Sequence, residues 1–206
     1  MRETLRREYV FLRRPVGLTA RLLLILAAGA IVASAVFPIW EIKLVAPQYE
    51  EGLRLTIYSY KIVAGNNGQD LPEINNLNHY IGMKPIAEAD FFEMRWVPFA
   101  LGVFLLLTLR ATVIGTMRSL VDLLALFLYF AAFSFGSFYY RLYSYGHNLD
   151  PRAPMHIEPF TPVILGKQQI ANFTQSSLPE PAAVFFAFFP VLVIAAMWLS
   201  RKEEPV

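Results

Sequence analysis

The sequence predicts an α-helical integral membrane protein, with four transmembrane helices and a small β-containing periplasmic cap built from two long outer loops. Three observations predict it. Of the 206 residues, 56% are hydrophobic and only 17% are charged, a balance too apolar for a water-soluble domain of this length. The apolar residues collect in four runs. The basic residues collect on the segments that flank one side of those runs, which sets an orientation.

Residues 1–21 form a basic N-terminal segment. The first run, 22–39, is uncharged and is long enough, at about 1.5 Å per residue, to cross roughly 30 Å of hydrocarbon. Its Ala33-Ser34-Ala35 also resembles a signal-peptidase site, but the run continues past it to Trp40 and the basic leader is long, so the segment reads as a span. Residues 40–95 are the first outer loop. The second span, 96–110, is the shortest, and Arg110 is expected to snorkel to the headgroups. A link over 111–119 leads to the third span, 120–138. The second outer loop covers 139–181, the fourth span 182–199 and the tail 200–206.

Arg2, Arg6, Arg7, Arg13, Arg14 and Arg21 precede the first span, Arg110 and Arg118 flank the short link, and Arg201 and Lys202 follow the last span. The positive-inside rule therefore predicts a bacterial inner-membrane protein with both termini cytoplasmic and both long loops periplasmic. Trp40, Trp96 and Tyr139 to Tyr145 then fall at the outer interface, and Trp198 at the inner one. Asp122 stands four residues after Arg118, where an i,i+4 pair accounts for it better than a proton relay does. Gly29-x-x-x-Ala33, Ala30-x-x-x-Ser34 and Ala132-x-x-x-Gly136 predict close helix packing, and Pro190 predicts a kink.

In the first loop, Glu41 to Val45 and Leu53 to Tyr58 alternate in polarity and predict a two-stranded hairpin. Leu71-Pro72-Glu73-Ile74 reads as a helix start. Prolines cluster between Pro151 and Pro181, so the second loop is expected to be an extended coat over the first with little regular structure.

Cysteine is absent, which excludes disulfides, cysteine–zinc sites, iron–sulfur clusters and a thiol nucleophile. The net charge of +2 sums opposite charges on two sides of a membrane and gives no argument for a nucleic-acid partner. All three histidines lie in the outer loops: His79 in the first, His147 and His156 in the second. Met83 follows His79 by four residues, and Met155 adjoins His156. Imidazole and thioether together suit copper, so these five residues are the candidate metal ligands. If 79–83 forms a helical turn, His79 and Met83 share a face. Ser144, His147 and Asp150 are close in sequence, but no nucleophile-elbow motif accompanies them, and the reading is non-enzymatic. Asn172-Phe173-Thr174 matches a glycosylation pattern that has no meaning in a bacterium.

Ala46-Pro47-Gln48-Tyr49 with Gly52-Leu53, Leu77-Asn78-His79-Tyr80-Ile81-Gly82-Met83, Tyr145-Gly146-His147-Asn148-Leu149-Asp150-Pro151 and Asn172-Phe173 carry a family resemblance. The chain resembles the NosB-like proteins, small four-span membrane proteins encoded beside nitrous-oxide reductase in one branch of denitrifying bacteria. The resemblance covers both outer loops; the spans agree in number and character only. It implies an accessory protein supporting a periplasmic copper enzyme by maturation, copper supply or electron delivery, with a copper reductase or its maturation machinery as partner. A different class of function fits the same residues: a docking subunit of a respiratory membrane complex that binds no metal. In that case Asn75, Asn76, Asn78 and Asn148 satisfy buried backbone groups, and His79 and His147 are ordinary hydrogen-bonding residues. A transporter is disfavoured because the spans carry almost no ionisable residues.

Overall fold

The computed structural model describes residues 9–203. Arg2, Arg6 and Arg7 of the basic leader and residues 204–206 of the tail lie outside the described residues. Among the described residues, four helices are long and apolar enough to cross a membrane: α1 (Leu18–Val36), α3 (Glu93–Ile114), α4 (Met117–His147) and α5 (Pro181–Ser200). A shorter helix, α2 (Asp70–Tyr80), lies in the first loop, where the sequence signals a helix start. Two compact units divide the chain.

The first unit takes the described residues up to Ala35, then Pro98–Ala132 and Val184 onward. Its helices bury one face each and turn the other outward. Leu24, Ile31, Leu101, Met117, Leu120, Phe189 and Val193 are almost wholly buried, whereas Leu18, Leu106, Val113 and Ile114 are largely exposed. Apolar surface on this scale has no favourable contact with water and is what lipid covers. Phe104 sits within an aromatic cluster, 5.5 Å from Phe127 and 5.3 Å from Phe130, and Phe127 stands 4.5 Å from Phe189. Buried hydroxyls close on their own helices: Ser34 donates to the Ala30 carbonyl at 2.8 Å and Thr108 to that of Phe104 at 2.7 Å. Such back-bonding satisfies a polar group where no water can. Of the small-residue pairs, Ala30 and Ser34 are buried as expected, but Gly29, Ala132 and Gly136 are exposed. Helix α5 continues through Pro190. The short link and the N-terminal segment are tied together, since Val16 N donates to Gly115 O at 3.2 Å and Met117 N to Arg14 O at 2.8 Å. Arg118 and Asp122 form the expected i,i+4 pair at 3.8 Å.

The second unit comprises Val36–Val97 and Phe133–Ala183. It contains a five-stranded antiparallel sheet in the order β3-β2-β1-β5-β4, formed by β1 (Trp40–Ala46), β2 (Tyr49–Ile57), β3 (Ile62–Ala64), β4 (Gly166–Ile170) and β5 (Phe173–Pro179). The predicted hairpin is β1–β2, with Ile42 opposite Leu55 and Leu44 opposite Leu53. The second loop departs from expectation. Instead of only coating the first, it supplies the β4–β5 hairpin, and β5 pairs with β1 from Trp40↔Pro179 to Val45↔Thr174. The inward residues of β5 include Gln175 and Ser177, too polar to show as an alternating apolar pattern. Residues Tyr139–His147, expected as loop, are instead helical and extend α4. The apolar run stops near Phe138, but nothing in Tyr139 to Tyr145 breaks a helix, and the next proline is Pro151.

Leu44, Leu53, Leu55, Ile74, Leu77, Ile81, Ile170 and Phe173 form the core of this unit. Ile74, Leu77 and Ile81 lie at i, i+3 and i+7, so one stripe of α2 and its end faces the sheet. Two acids fasten α2 to β2: Asp70 Oδ2 accepts from Arg54 N at 2.8 Å, and Glu73 accepts from the Tyr49 hydroxyl. The hydrogen bond to Glu73, with a smaller effect of burial, raises the Tyr49 pKa. A raised folded pKa means that the pair contributes fully below the unfolded phenol value of about 10 and is lost as pH climbs through the folded value. Tyr49→Phe is therefore expected to unfold at lower denaturant concentration than wild type at neutral pH, with the gap closing above pH ~10; a gap that stays constant with pH counts against the pair.

Candidate functional site

The five predicted ligands all lie in the second unit, in two neighbouring stretches of backbone and one helix end. His79 is exposed in the last turn of α2. The helix ends at Tyr80, and Gly82 follows at φ +80°, so 79–83 is not a helical turn and the shared face expected for His79 and Met83 does not form. The second loop crosses here. Asp150 N donates to Gly82 O at 2.8 Å, and Met155 N donates to Tyr80 O at 3.0 Å. Met83 and Met155, half-buried, pack against the apolar core. His147, at the end of α4, lies flat on Tyr143 with ring centroids 3.8 Å apart, and its Nδ1 donates to the Tyr143 carbonyl at 3.0 Å. His156 Nε2 donates to the Pro151 carbonyl at 3.0 Å. These bonds leave Nε2 of His147 and Nδ1 of His156 as the ring nitrogens open to a ligand. A metal-binding histidine commonly has its other nitrogen fixed this way. Among the described residues, no three His, Asp or Glu side chains form a metal-sized group.

The glycines of the two quoted motifs have backbone reasons. A Cβ on Gly82 meets the Asp150 carbonyl at 2.8 Å, and one on Gly146 collides with the Phe160 carbonyl. Both positions allow the second loop to lie directly on the main chain beneath it. Ser144, His147 and Asp150 do not assemble as a triad. The Ser144 hydroxyl accepts from Asn148 at 2.9 Å, His147 is held by Tyr143, and Asp150 accepts from Arg152 N at 2.8 Å. Of the asparagines, Asn75 satisfies backbone as expected: it donates to Ile86 O at 3.1 Å and accepts from Ile86 N at 2.7 Å.

A second constellation lies apart from the five candidate ligands. The start of α3, the residues just before it and the extended end of α4 border a half-open cavity of about 560 Å³, lined among others by Lys84, Asp90, Glu93, Arg141 and Tyr145. Arg141 grips both carboxylate oxygens of Glu93, at 2.8 and 2.7 Å, and also donates to the Asp90 carbonyl at 2.5 Å. Its guanidinium lies 4.9 Å from the centre of the Phe91 ring. Ser137 completes the set by donating to Glu93 at 2.5 Å. Lys84 pairs with Asp90 at 2.8 Å. The Tyr145 hydroxyl is buried and has no hydrogen-bond partner among the described residues. The signal was present in the sequence: Ser134, Ser137, Arg141, Ser144 and Asn148 fall at i, i+3, i+7, i+10 and i+14, a polar stripe that shows only once residues 139–147 are read as helix.

Removing one member of the Arg141–Glu93 pair strands a partly buried charge. Arg141→Ala is therefore expected to cost about 2–3 kcal/mol in denaturant unfolding, and Glu93→Gln less, because the amide still accepts from Ser137. A loss under ~0.5 kcal/mol for Arg141→Ala places the pair among surface contacts that contribute little. Gly82→Ala is expected to cost more than about 1 kcal/mol, since both the positive φ and the Asp150 contact oppose a side chain; an unchanged unfolding midpoint counts against the crossing of the two loops at this point. No protein-family model, curated protein or solved structure matches the chain, so the functional reading rests on this geometry and on the sequence.

Proposed function

We propose that the protein is an inner-membrane accessory protein that supports a periplasmic copper enzyme of the nitrous-oxide-respiration type, acting by docking through its sheet unit. The observation that carries the reading is the β1–β5 pairing, which makes the two long loops one folded body with a core of its own. A membrane protein that commits both loops to such a body presents a surface of fixed shape, the requirement for specific docking. The NosB-like motifs supply the kind of partner, a copper reductase or its maturation machinery. The basic residues and the tie between the N-terminal segment and the α3–α4 link support cytoplasmic termini and periplasmic loops.

Transient copper binding is the second mode. It is favoured by one specific observation: His147 and His156 each keep a ring nitrogen open while the other is fixed by a backbone carbonyl. His79, Met83 and Met155 complete the proposed set, with the soft thioethers favouring Cu(I).

Affinity purification from the native host, followed by identification of retained proteins and metal analysis, tests both modes. Retention of a periplasmic copper enzyme or its maturation proteins, unchanged in a His79→Ala/His147→Ala variant, supports docking. Loss of bound copper in that variant, with the partner still retained, supports ligation. A preparation with neither partner nor copper overturns the proposal.

A further inference from the structure

We infer that the cavity between the start of α3 and the end of α4 holds the phosphate–ammonium head group of a zwitterionic phospholipid. The inference is independent of the docking reading. Depth is the first argument. Helix α4 has 31 residues, about 46 Å at 1.5 Å per residue, against roughly 30 Å of hydrocarbon. Its first turns hold the Arg118–Asp122 pair, so the surplus length falls at the other end, where Arg141, Ser144, Tyr145 and Asn148 line the cavity. That end stands at headgroup level, and the flanking Trp96, Tyr139 and Tyr140 are the residue types that settle there.

Charge is the second argument. The wall carries two cations and two anions, Lys84 and Arg141 against Asp90 and Glu93. A simple anion meets no net attraction in such a wall, whereas a ligand bearing both signs is met by both. For the phosphate, the donors are the Tyr145 hydroxyl, which has no partner among the described residues, and Lys84, which is well exposed and uses one of its three N–H groups on Asp90. For the ammonium, the acceptor is Asp90, whose carboxylate is paired at Oδ2 with Lys84 alone among the described residues, whereas both oxygens of Glu93 are taken by Arg141 and Ser137. The volume of about 560 Å³ lies within the roughly 300–1,000 Å³ typical of small-molecule sites.

A primary ammonium donates hydrogen bonds to Asp90, whereas a trimethylammonium has none to give. Phosphatidylethanolamine is therefore the expected occupant, above phosphatidylcholine and the anionic phosphatidylglycerol. The test is native mass spectrometry of the delipidated, detergent-solubilised full chain, offered an equimolar mixture of the three lipids. Retention of phosphatidylethanolamine about tenfold over each of the others is expected, the ratio set by one charge-assisted hydrogen bond. Tyr145→Phe is expected to lower that retention about tenfold while leaving the melting temperature unchanged or higher, since it removes an unsatisfied buried hydroxyl. Lys84→Gln is expected to lower retention as well. Equal retention of the three lipids, or undiminished retention by both variants, overturns the site. Stabilisation by free phosphoethanolamine equal to that by the lipid at the same concentration overturns the assignment to a lipid and leaves a soluble zwitterion as the ligand.

Discussion

The pairing of β1 with β5 is the interaction on which the second unit depends. Trp40 lies opposite Pro179 and Val45 opposite Thr174, so the strand that follows the first membrane helix is bonded to the strand that precedes the last. The ladder continues to the helix ends themselves, since Glu180 N donates to Ile39 O at 3.0 Å and Ala182 N to Pro38 O at 2.9 Å. Ser177, fully buried, adds side-chain bonds at the same seam: it accepts from Trp40 Nε1 at 2.7 Å and donates to Ile164 O at 2.8 Å. Without this pairing, β1–β2–β3 is left with an open edge through the middle of its core. With it, Ile170 and Phe173 reach the same apolar cluster as Leu44 and Ile74.

The Arg141–Glu93 pair has a comparable place at the opposite, polar end of the energy scale. Both side chains are about three-quarters buried, and Arg141 makes bonds to side-chain and main-chain oxygen and lies over Phe91. A guanidinium is suited to this, because its planar fork can serve several acceptors while its face rests on an aromatic ring. The arrangement fixes the entry of α3 against the extended part of α4, and the cavity is a consequence of where those two helices are held.

What was legible in the sequence follows the physics of each element. The four spans were legible because lipid demands long apolar runs, and the β1–β2 hairpin because its inward residues, Ile42, Leu44, Leu53 and Leu55, alternate cleanly. Strands β4 and β5 were not, because Gln175 and Ser177 take inward positions that a pattern of apolar residues does not mark. The end of α4 is hidden in the sequence for a related reason: the helix outlasts its hydrophobicity, so the change from apolar to aromatic and polar residues at Tyr139 marks a change of surroundings rather than of secondary structure. The polar stripe disappeared with it. The histidines and methionines were easy to find by type, yet their placement rests on the Gly82 turn and the Asp150 crossing, contacts between segments far apart in sequence.

The β1–β5 seam also sets an order of events during synthesis. Trp40 and Ser177 are 137 residues apart, with two membrane helices between them. The first three strands therefore leave the ribosome long before their partner exists, and β1 waits with an unpaired edge until β5 has been made. Pairing at such separation is slow, and the waiting edge is open to other strands. The insertion of α5 and the closing of the sheet thus fall at nearly the same moment, which makes the segment from β4 through α5 the part on which productive maturation of the sheet unit depends.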